Sequence, residues 1–293
     1  MKNTLSDALS SKKTLLIDGG FGSLLLSRGG DKQSGLNNIM HPELVLSLHR
    51  EYVDAGSDFV TSNTFSLNRV YAGKQGISPA DEEKALHAGM ELAVKAAASQ
   101  ALVLADMGPS GEMLAPMGTG NPDELLESFA RQAGVMAEYK PAAIIIETVF
   151  DLKEAEIMVN ACKEAAPDIP VLLSLTLSTV KRGGATLMGN RATDIAQAAT
   201  DWGCAAVGAN CGDLNPQDYV EILGNMRGIT PLPLLLQPNA GKPVLQGGEV
   251  IYPLLPEDFA QGMVGCKEAG AQLLGGCCGT TPAHIAAMAR IFK

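Results

Sequence analysis

The sequence is poor in charge and carries no concentrated block of either sign. Charged residues make up 18% of its 293 positions and hydrophobic residues 46%, which leaves ample material for a core and excludes a charge-swollen, disordered chain. Lysine and arginine total 22 against 32 acids, for a net charge of −10, and they form no cluster. Such a surface repels a phosphate backbone, so a nucleic-acid partner is not expected. No uncharged apolar run approaches the roughly 18 residues needed to cross a bilayer. The opening residues 1–13 are polar and lack the apolar core of a secretory leader. Six cysteines, two of them adjacent, are too few for a disulfide scaffold. The chain therefore reads as a soluble, cytoplasmic protein from a reducing compartment, with no membrane partner.

Several binding motifs are missing as well. Gly20-Phe21-Gly22 does not continue to the third glycine of a dinucleotide fingerprint, and no GxxxxGK[ST] loop occurs, so NAD and ATP are unsupported. His41, His49, His87 and His284 form neither an HxH nor an HExxH pair, which disfavours a histidine-held metal. The paired CxxC knuckles of structural zinc are also absent.

What is present is an alternation. Apolar runs of strand length occur at 14–18, 58–65, 101–107, 142–148, 170–176, 205–210, 232–239 and 271–276. Being continuous, they suit strands covered on both faces, as in a parallel sheet. Helical stretches follow at about 42–55, 80–99, 123–139, 151–166, 192–203, 216–227, 256–269 and 282–292. Several open on a cap residue and proline: Asn121-Pro122, Asn215-Pro216 and Thr281-Pro282. Eight βα units in this length predict an α/β fold, a single (β/α)8 TIM barrel domain over 1–293. The longest stretches without helical pattern, 64–79 and 107–122, follow strands, where a barrel carries its active-site loops.

Polar residues gather where the apolar runs end: Asp18-Gly19-Gly20, Asn63-Thr64, Asp106, Glu147-Thr148, Asn210-Cys211, Gln237-Pro238-Asn239 and Gly276-Cys277-Cys278-Gly279. Strand ends meet water and are often polar, but this does not account for cysteines at two of them. If the sixth and eighth strands lie one strand apart, Cys211, Cys277 and Cys278 can share one ion. A thiolate-rich tetrahedral site selects zinc, and three protein ligands leave the open position of a catalytic site. Two other readings stay open at this point. One is a strained Cys277–Cys278 disulfide; the other is a glycine-rich phosphate nest leading into a helix, as in phosphate-binding barrel lyases. Cys162, Cys204 and Cys266 fall on predicted helices or just before a strand and read as small buried core residues.

Taken in order, Asp18-Gly19-Gly20-Phe21-Gly22, Ser62-Asn63-Thr64-Phe65, Gly108-Pro109-Ser110-Gly111, Glu147-Thr148, Asn210-Cys211, Pro238-Asn239-Ala240-Gly241 and Gly275-Gly276-Cys277-Cys278-Gly279-Thr280-Thr281-Pro282 resemble the zinc-dependent homocysteine S-methyltransferases. The run from Pro238 through Tyr252-Pro253 to His284 is most similar to the homocysteine-binding module of cobalamin-dependent methionine synthase. The resemblance implies a barrel with one Zn2+ per chain on Cys211, Cys277 and Cys278, which activates homocysteine as a thiolate for methylation to methionine. It also implies that backbone N–H groups at Asp18-Gly19 take the substrate carboxylate and Glu147 its ammonium, with Asp18, Thr64 or Asn210 adding hydrogen bonds. Val149 departs from the phenylalanine that usually follows Glu-Thr and is expected in the pocket wall; it leaves another thiol or selenol acceptor open. No folate, cobalamin or activation module follows Lys293, so the expected methyl donor is a separate methyl-corrinoid protein, with S-methylmethionine or a betaine as the alternative. A zinc- and thiol-binding docking subunit, active only in a complex, is the competing class of function.

Overall fold

Alternating strands and helices wind the chain into a parallel barrel, and the computed structural model describes residues 4–11, 13–247 and 249–293 of it. The expected 1–293 domain thus includes residues 1–3, 12 and 248, which lie outside the described residues. Helix α1 (Leu5–Ser10) is capped by Thr4, whose hydroxyl accepts from Asp7 N, and sends Leu5 and Ala8 into the barrel's inner cluster. Next come β1 (Leu15–Leu16), α2 (Phe21–Ser27), α3 (Asn37–Met40), α4 (Pro42–Asp54), β2 (Phe59–Thr61), α5 (Arg69–Lys74) and α6 (Pro79–Ala97). The middle of the chain gives β3 (Leu102–Met107), α7 (Pro122–Glu138), β4 (Ala143–Val149), α8 (Leu152–Ala165), β5 (Val171–Leu175), α9 (Ala192–Asp201), β6 (Ala206–Cys211) and α10 (Tyr219–Arg227). It ends with β7 (Leu234–Pro238), an antiparallel hairpin of β8 (Val244–Gln246) and β9 (Glu249–Ile251), then α11 (Pro256–Glu268), β10 (Ala271–Leu274) and α12 (Pro282–Phe292).

Eight parallel strands run in the order β1-β10-β7-β6-β5-β4-β3-β2, and a bridge from Ile17 to Phe59 joins the two ends. The side-chain period of two splits the core into two layers. Leu15, Ile17, Phe59, Leu104, Ile145, Leu172, Leu235 and Leu273 fill the barrel interior, while their neighbours pack outward against the helices. All eight expected strands and their helices are present. The proline starts hold too: α7 and α12 begin at Pro122 and Pro282 behind Asn121 and Thr281.

Several stretches differ from expectation. Residues 64–79 include the helix α5, capped by Asn68, whose side chain accepts from Tyr71 N at 2.8 Å. The stretch 216–227 splits into a 3-10 turn, Pro216–Asp218, and α10. The β8–β9 hairpin was not expected.

His49 on α4 is wholly buried, stacked on Phe21 with ring centroids 4.3 Å apart, and neither ring nitrogen has a partner. Burial lowers its pKa from 6.5 to about 3. The unfolded chain takes up this proton below pH 6.5 and the folded chain does not, so the stability that neutral His49 contributes is intact above 6.5 and is lost as pH falls toward 3. By pH 5 the loss is about 2 kcal/mol. His49→Phe keeps the stack without the proton, so its stability relative to the native chain in urea titrations should grow by about that amount between pH 7 and pH 5. A pH-independent difference contradicts this.

Candidate metal centre

The period that fills the barrel with leucine and isoleucine also builds its mouth. Two residues beyond the inner-layer Phe59, Leu104, Ile145 and Leu235 stand Thr61, Asp106, Glu147 and Gln237, and four beyond Ala206 stands Asn210. The top layer of the interior is therefore polar. Thr61, Asp106, Glu147 and Gln237 form the floor of a cavity of about 390 Å³ at the C-terminal ends of the strands. Higher in the wall are Phe21, Ser62, Asn63, Phe65, Tyr71 and Thr148, together with Cys211, Cys277 and Cys278.

The three cysteines converge because β7 alone separates β6 from β10. Their sulphurs all lie within 4.8 Å of one another, with Cys277 and Cys278 Sγ 4.0 Å apart. Tetrahedral zinc with Zn–S of about 2.3 Å separates its sulphurs by about 3.8 Å, so the spacing and the donor type both fit that ion. All six cysteines are free thiols, which leaves no Cys277–Cys278 disulfide.

Backbone geometry holds the sulphurs in place. Cys211 is left-handed at φ 59°, followed by Gly212 at φ 76°. A non-glycine residue there costs on the order of 1–3 kcal/mol. The surroundings fix it: Tyr219 Oη donates to Cys211 O at 3.1 Å and Asn239 Nδ2 to Gly212 O at 2.7 Å. On the other side, Cys277 N donates to Pro238 O at 2.8 Å and Thr280 Oγ1 to Cys277 O at 2.7 Å. Gly20 permits this turn to pass close, since a Cβ on it would overlap the Cys277 carbonyl.

Asn210 ties the two halves together. Its Oδ1 accepts from Thr148 N at 3.0 Å and Ser174 Oγ at 2.7 Å, while its Nδ2 donates to Thr148 Oγ1 at 2.7 Å and lies 4.0 Å from Cys277 Sγ. Thr148 is left-handed at φ 62°, within a register shift between Ile146 and Val149 that delivers Glu147 to the cavity.

Acidic groups crowd this space without basic partners. Burial raises Glu147 to about 7, helped by the charge of Cys278. Burial also raises Asp18 to about 8 against the hydrogen bonds from Thr61, with Glu147 adding to the rise. Asp106 is raised by burial and then by Glu147 and Asp18. Among the thiols, hydrogen bonds from Cys211 and Cys277 lower Cys278, and hydrogen bonds with Cys211 and then Cys278 raise Cys277. Lys32, the basic residue among those lining the cavity, is exposed at its edge.

A family model described as homocysteine S-methyltransferase matches residues 15–292. The chain belongs to the homocysteine S-methyltransferase family. Within it, the chain is 32% identical to methionine synthase of Mycobacterium tuberculosis over 96% of its own length and 25% of the relative's. It is 29% identical to methionine synthase of Mycobacterium leprae over 94% of itself and 24% of that protein. It therefore spans about a quarter of the curated relatives it matches. The metallated crystal structure of the homocysteine methyltransferase MmuM from Escherichia coli shares the fold, with a TM-score of 0.81, 23% identity, and coverage of 98% of this chain and 100% of that one.

Of the family residues expected at the site, Gly19, Glu147, Cys211, Cys277 and Cys278 line the cavity. Asp18, Thr64 and Asn210 stand behind its wall. Asp18 is wholly buried, accepting from Thr61 N at 2.8 Å and Thr61 Oγ1 at 3.0 Å, and Thr64 Oγ1 donates to Asp106 O at 2.7 Å. Val149, expected in the pocket wall, instead points outward into the barrel–helix core, because the register shift turns it away. Asp106 and Gln237, expected among the polar strand ends but given no role, line the cavity, and so does Thr61, which was missed although the period-two pattern from Phe59 marks it. Cys162, Cys204 and Cys266 are buried in the core, away from the cluster. Among the described residues no helix is long and apolar enough to cross a membrane.

Asn210→Ala leaves Thr148 N and Ser174 Oγ without their acceptor. The expected cost is about 2–4 kcal/mol in urea denaturation, from buried groups left unpaired. A loss below about 0.5 kcal/mol, typical of surface changes, would show that Asn210 does not organise the site.

Proposed function

We propose that residues 1–293 form a homocysteine-binding barrel domain which, with one Zn2+ on Cys211, Cys277 and Cys278, methylates homocysteine to methionine in a reducing cytoplasm. The observation that carries this reading is the convergence, in one cavity, of three sulphurs with Glu147 and a free backbone N–H at Gly19. Among the described residues Gly19 N has no acceptor, whereas Gly20 N donates to Thr280 Oγ1 at 2.9 Å.

A free thiol, with a pKa of about 8.5, is mostly protonated at neutral pH, while methyl transfer needs the thiolate. Zinc, when bound, supplies the Lewis acidity that lets the acceptor thiol ionise while three cysteinates keep its sulphur electron-rich. The chain's own residues position the acceptor. Glu147 receives the ammonium and the Gly19 N–H the carboxylate, and together they hold the thiol at the cysteine cluster. Phe21 and Phe65 wall the approach and exclude water. The acceptor sulphur then forms a bond to the methyl carbon as the carbon–donor bond breaks, and that electron pair leaves with the donor. No side chain has to protonate the leaving group, so orientation supplies most of the acceleration.

A macromolecular methyl donor, a separate methyl-corrinoid protein, fits the rim. Met113 and Met117 after β3, Val180 and Leu187 after β5, and Leu245 and Val250 on the hairpin after β7 are all exposed at the cavity's end of the barrel, Leu245 by 76%. Apolar side chains gathered on one face mark an interaction surface. Assays with homocysteine should therefore give methionine with a methyl-corrinoid protein and little with free S-methylmethionine or betaine. Faster turnover with either small donor overturns the donor assignment, and no turnover with any of them favours a docking subunit.

The metal assignment has its own check. Cys211→Ala, Cys277→Ala and Cys278→Ala should each lose zinc while keeping the native melting transition, and Cys162→Ala, Cys204→Ala and Cys266→Ala should retain it. Because Cys211 and Cys277 hold protons in the metal-free chain, zinc loading at pH 7 should release about two protons, measured by calorimetry in buffers of different ionisation enthalpy. Zinc retention by a Cys211→Ala chain contradicts the ligand set.

A further inference from the structure

His284 is a buried histidine to which neither the metal centre nor the methyl transfer gives a role. It stands in the first turn of α12, just beyond the Cys277–Cys278 turn, and is 6% exposed. Both ring nitrogens are engaged. Nδ1 lies 3.1 Å from Thr281 N and 3.0 Å from Thr281 Oγ1, and Nε2 lies 3.0 Å from Leu254 O. A backbone N–H can only donate and a carbonyl can only accept, so Nδ1 is the bare acceptor and Nε2 carries the proton. Burial lowers the pKa of the ring, against the Leu254 bond and the charge of Glu257, which keeps it in this neutral form. Phe259 fixes its orientation edge-on, with ring centroids 5.5 Å apart at 82°.

The Leu254 bond holds more than a loop. Leu254 closes the base of the β8–β9 hairpin by donating its N–H to Ala240 O at 3.0 Å, and Ala240 N donates to Cys278 O at 3.0 Å. Hydrogen bonds thus close a ring from Cys278 through Ala240, Leu254 and His284 to Thr281. Inside that ring the hairpin's return segment lies against the turn, for a Cβ on Gly279 would meet the Tyr252 side chain. The two cysteines are held differently. Cys277 N is bonded to Pro238 O at the end of β7, whereas the Cys278 carbonyl is bonded to the segment that carries the hairpin, whose Leu245 and Val250 are exposed. We propose that His284 is a positioning residue for the metal: its Nε2–H holds Leu254, fixes the hairpin base against the turn and so keeps the Cys278 sulphur in place for zinc. It is neither a ligand nor a group that touches the acceptor. This rests on Cys277 and Cys278 holding the metal.

The test compares His284→Gln, whose amide N–H can still reach Leu254 O, with His284→Asn, which keeps an acceptor for Thr281 N but is too short to reach Leu254. Zinc Kd is measured by competition with a chelator, and the visible spectrum of the cobalt(II)-loaded chain reports the ligand geometry. In His284→Asn the zinc Kd should rise by about 10-fold or more, as when groups that support metal ligands are removed, while His284→Gln stays within about threefold of the native chain. The cobalt(II) bands should shift in His284→Asn alone. Equal weakening of zinc in both variants, or unchanged zinc affinity in His284→Asn, overturns the role of His284. Should His284→Asn fail to fold, 15N chemical shifts of the native chain decide: the Nε2–H tautomer is expected, and an Nδ1–H tautomer overturns the clamp. A native chain that takes up no zinc overturns the metal reading, and the clamp with it.

Discussion

An excess of acidic groups over cations at the barrel mouth is the constraint from which the rest of the site follows. Asp106, Glu147 and three cysteines share one cavity, Asp18 lies just behind, and the basic side chain in the lining, Lys32, is exposed at the edge. Burial raises all three carboxyls, and Cys211 and Cys277 are raised with them, while Cys278 alone is lowered by its thiol neighbours. The charge the site is built to hold has to be brought in. In the proposed function its donors sort that charge into two kinds: soft sulphur at one end for a metal, and carboxylate oxygen on the floor for the acceptor's ammonium.

The fold meets this demand through a small number of strained or crowded positions. Cys211 and Thr148 both adopt left-handed backbone at the ends of strands two apart, and Asn210 bonds to one and adjoins the other. Gly20 and Gly279 allow the first and last turns to interleave. A Cβ on Gly279 would collide with the Tyr252 ring. Strain stored at a mouth over a well-packed barrel is how a rigid scaffold can fix groups that repel one another.

Much of this was legible in the sequence. Unbroken apolar runs gave the strands, and Asn121-Pro122 and Thr281-Pro282 marked helix starts, because both signals act locally. The cysteine cluster was legible because strand order in a βα barrel follows the chain, so β6 and β10 had to flank β7. What escaped was set by contacts far apart in sequence. The short helices α2 and α5 sit inside loops and are held by packing against the mouth, and the β8–β9 hairpin has exposed apolar residues with no periodic partner. Thr64 and Asn210 carry the right chemistry but turn toward neighbouring strands, a direction that only the register shift in β4 and the turn after β2 decide.

What surrounds the metal decides the chemistry of the site, and zinc-edge X-ray absorption of the zinc-loaded chain reads this directly. The prediction is a first shell of three sulphurs at about 2.3 Å with one lighter atom, changing to four sulphurs when homocysteine is added. A shell with fewer than three sulphurs, or one unaltered by homocysteine, contradicts it.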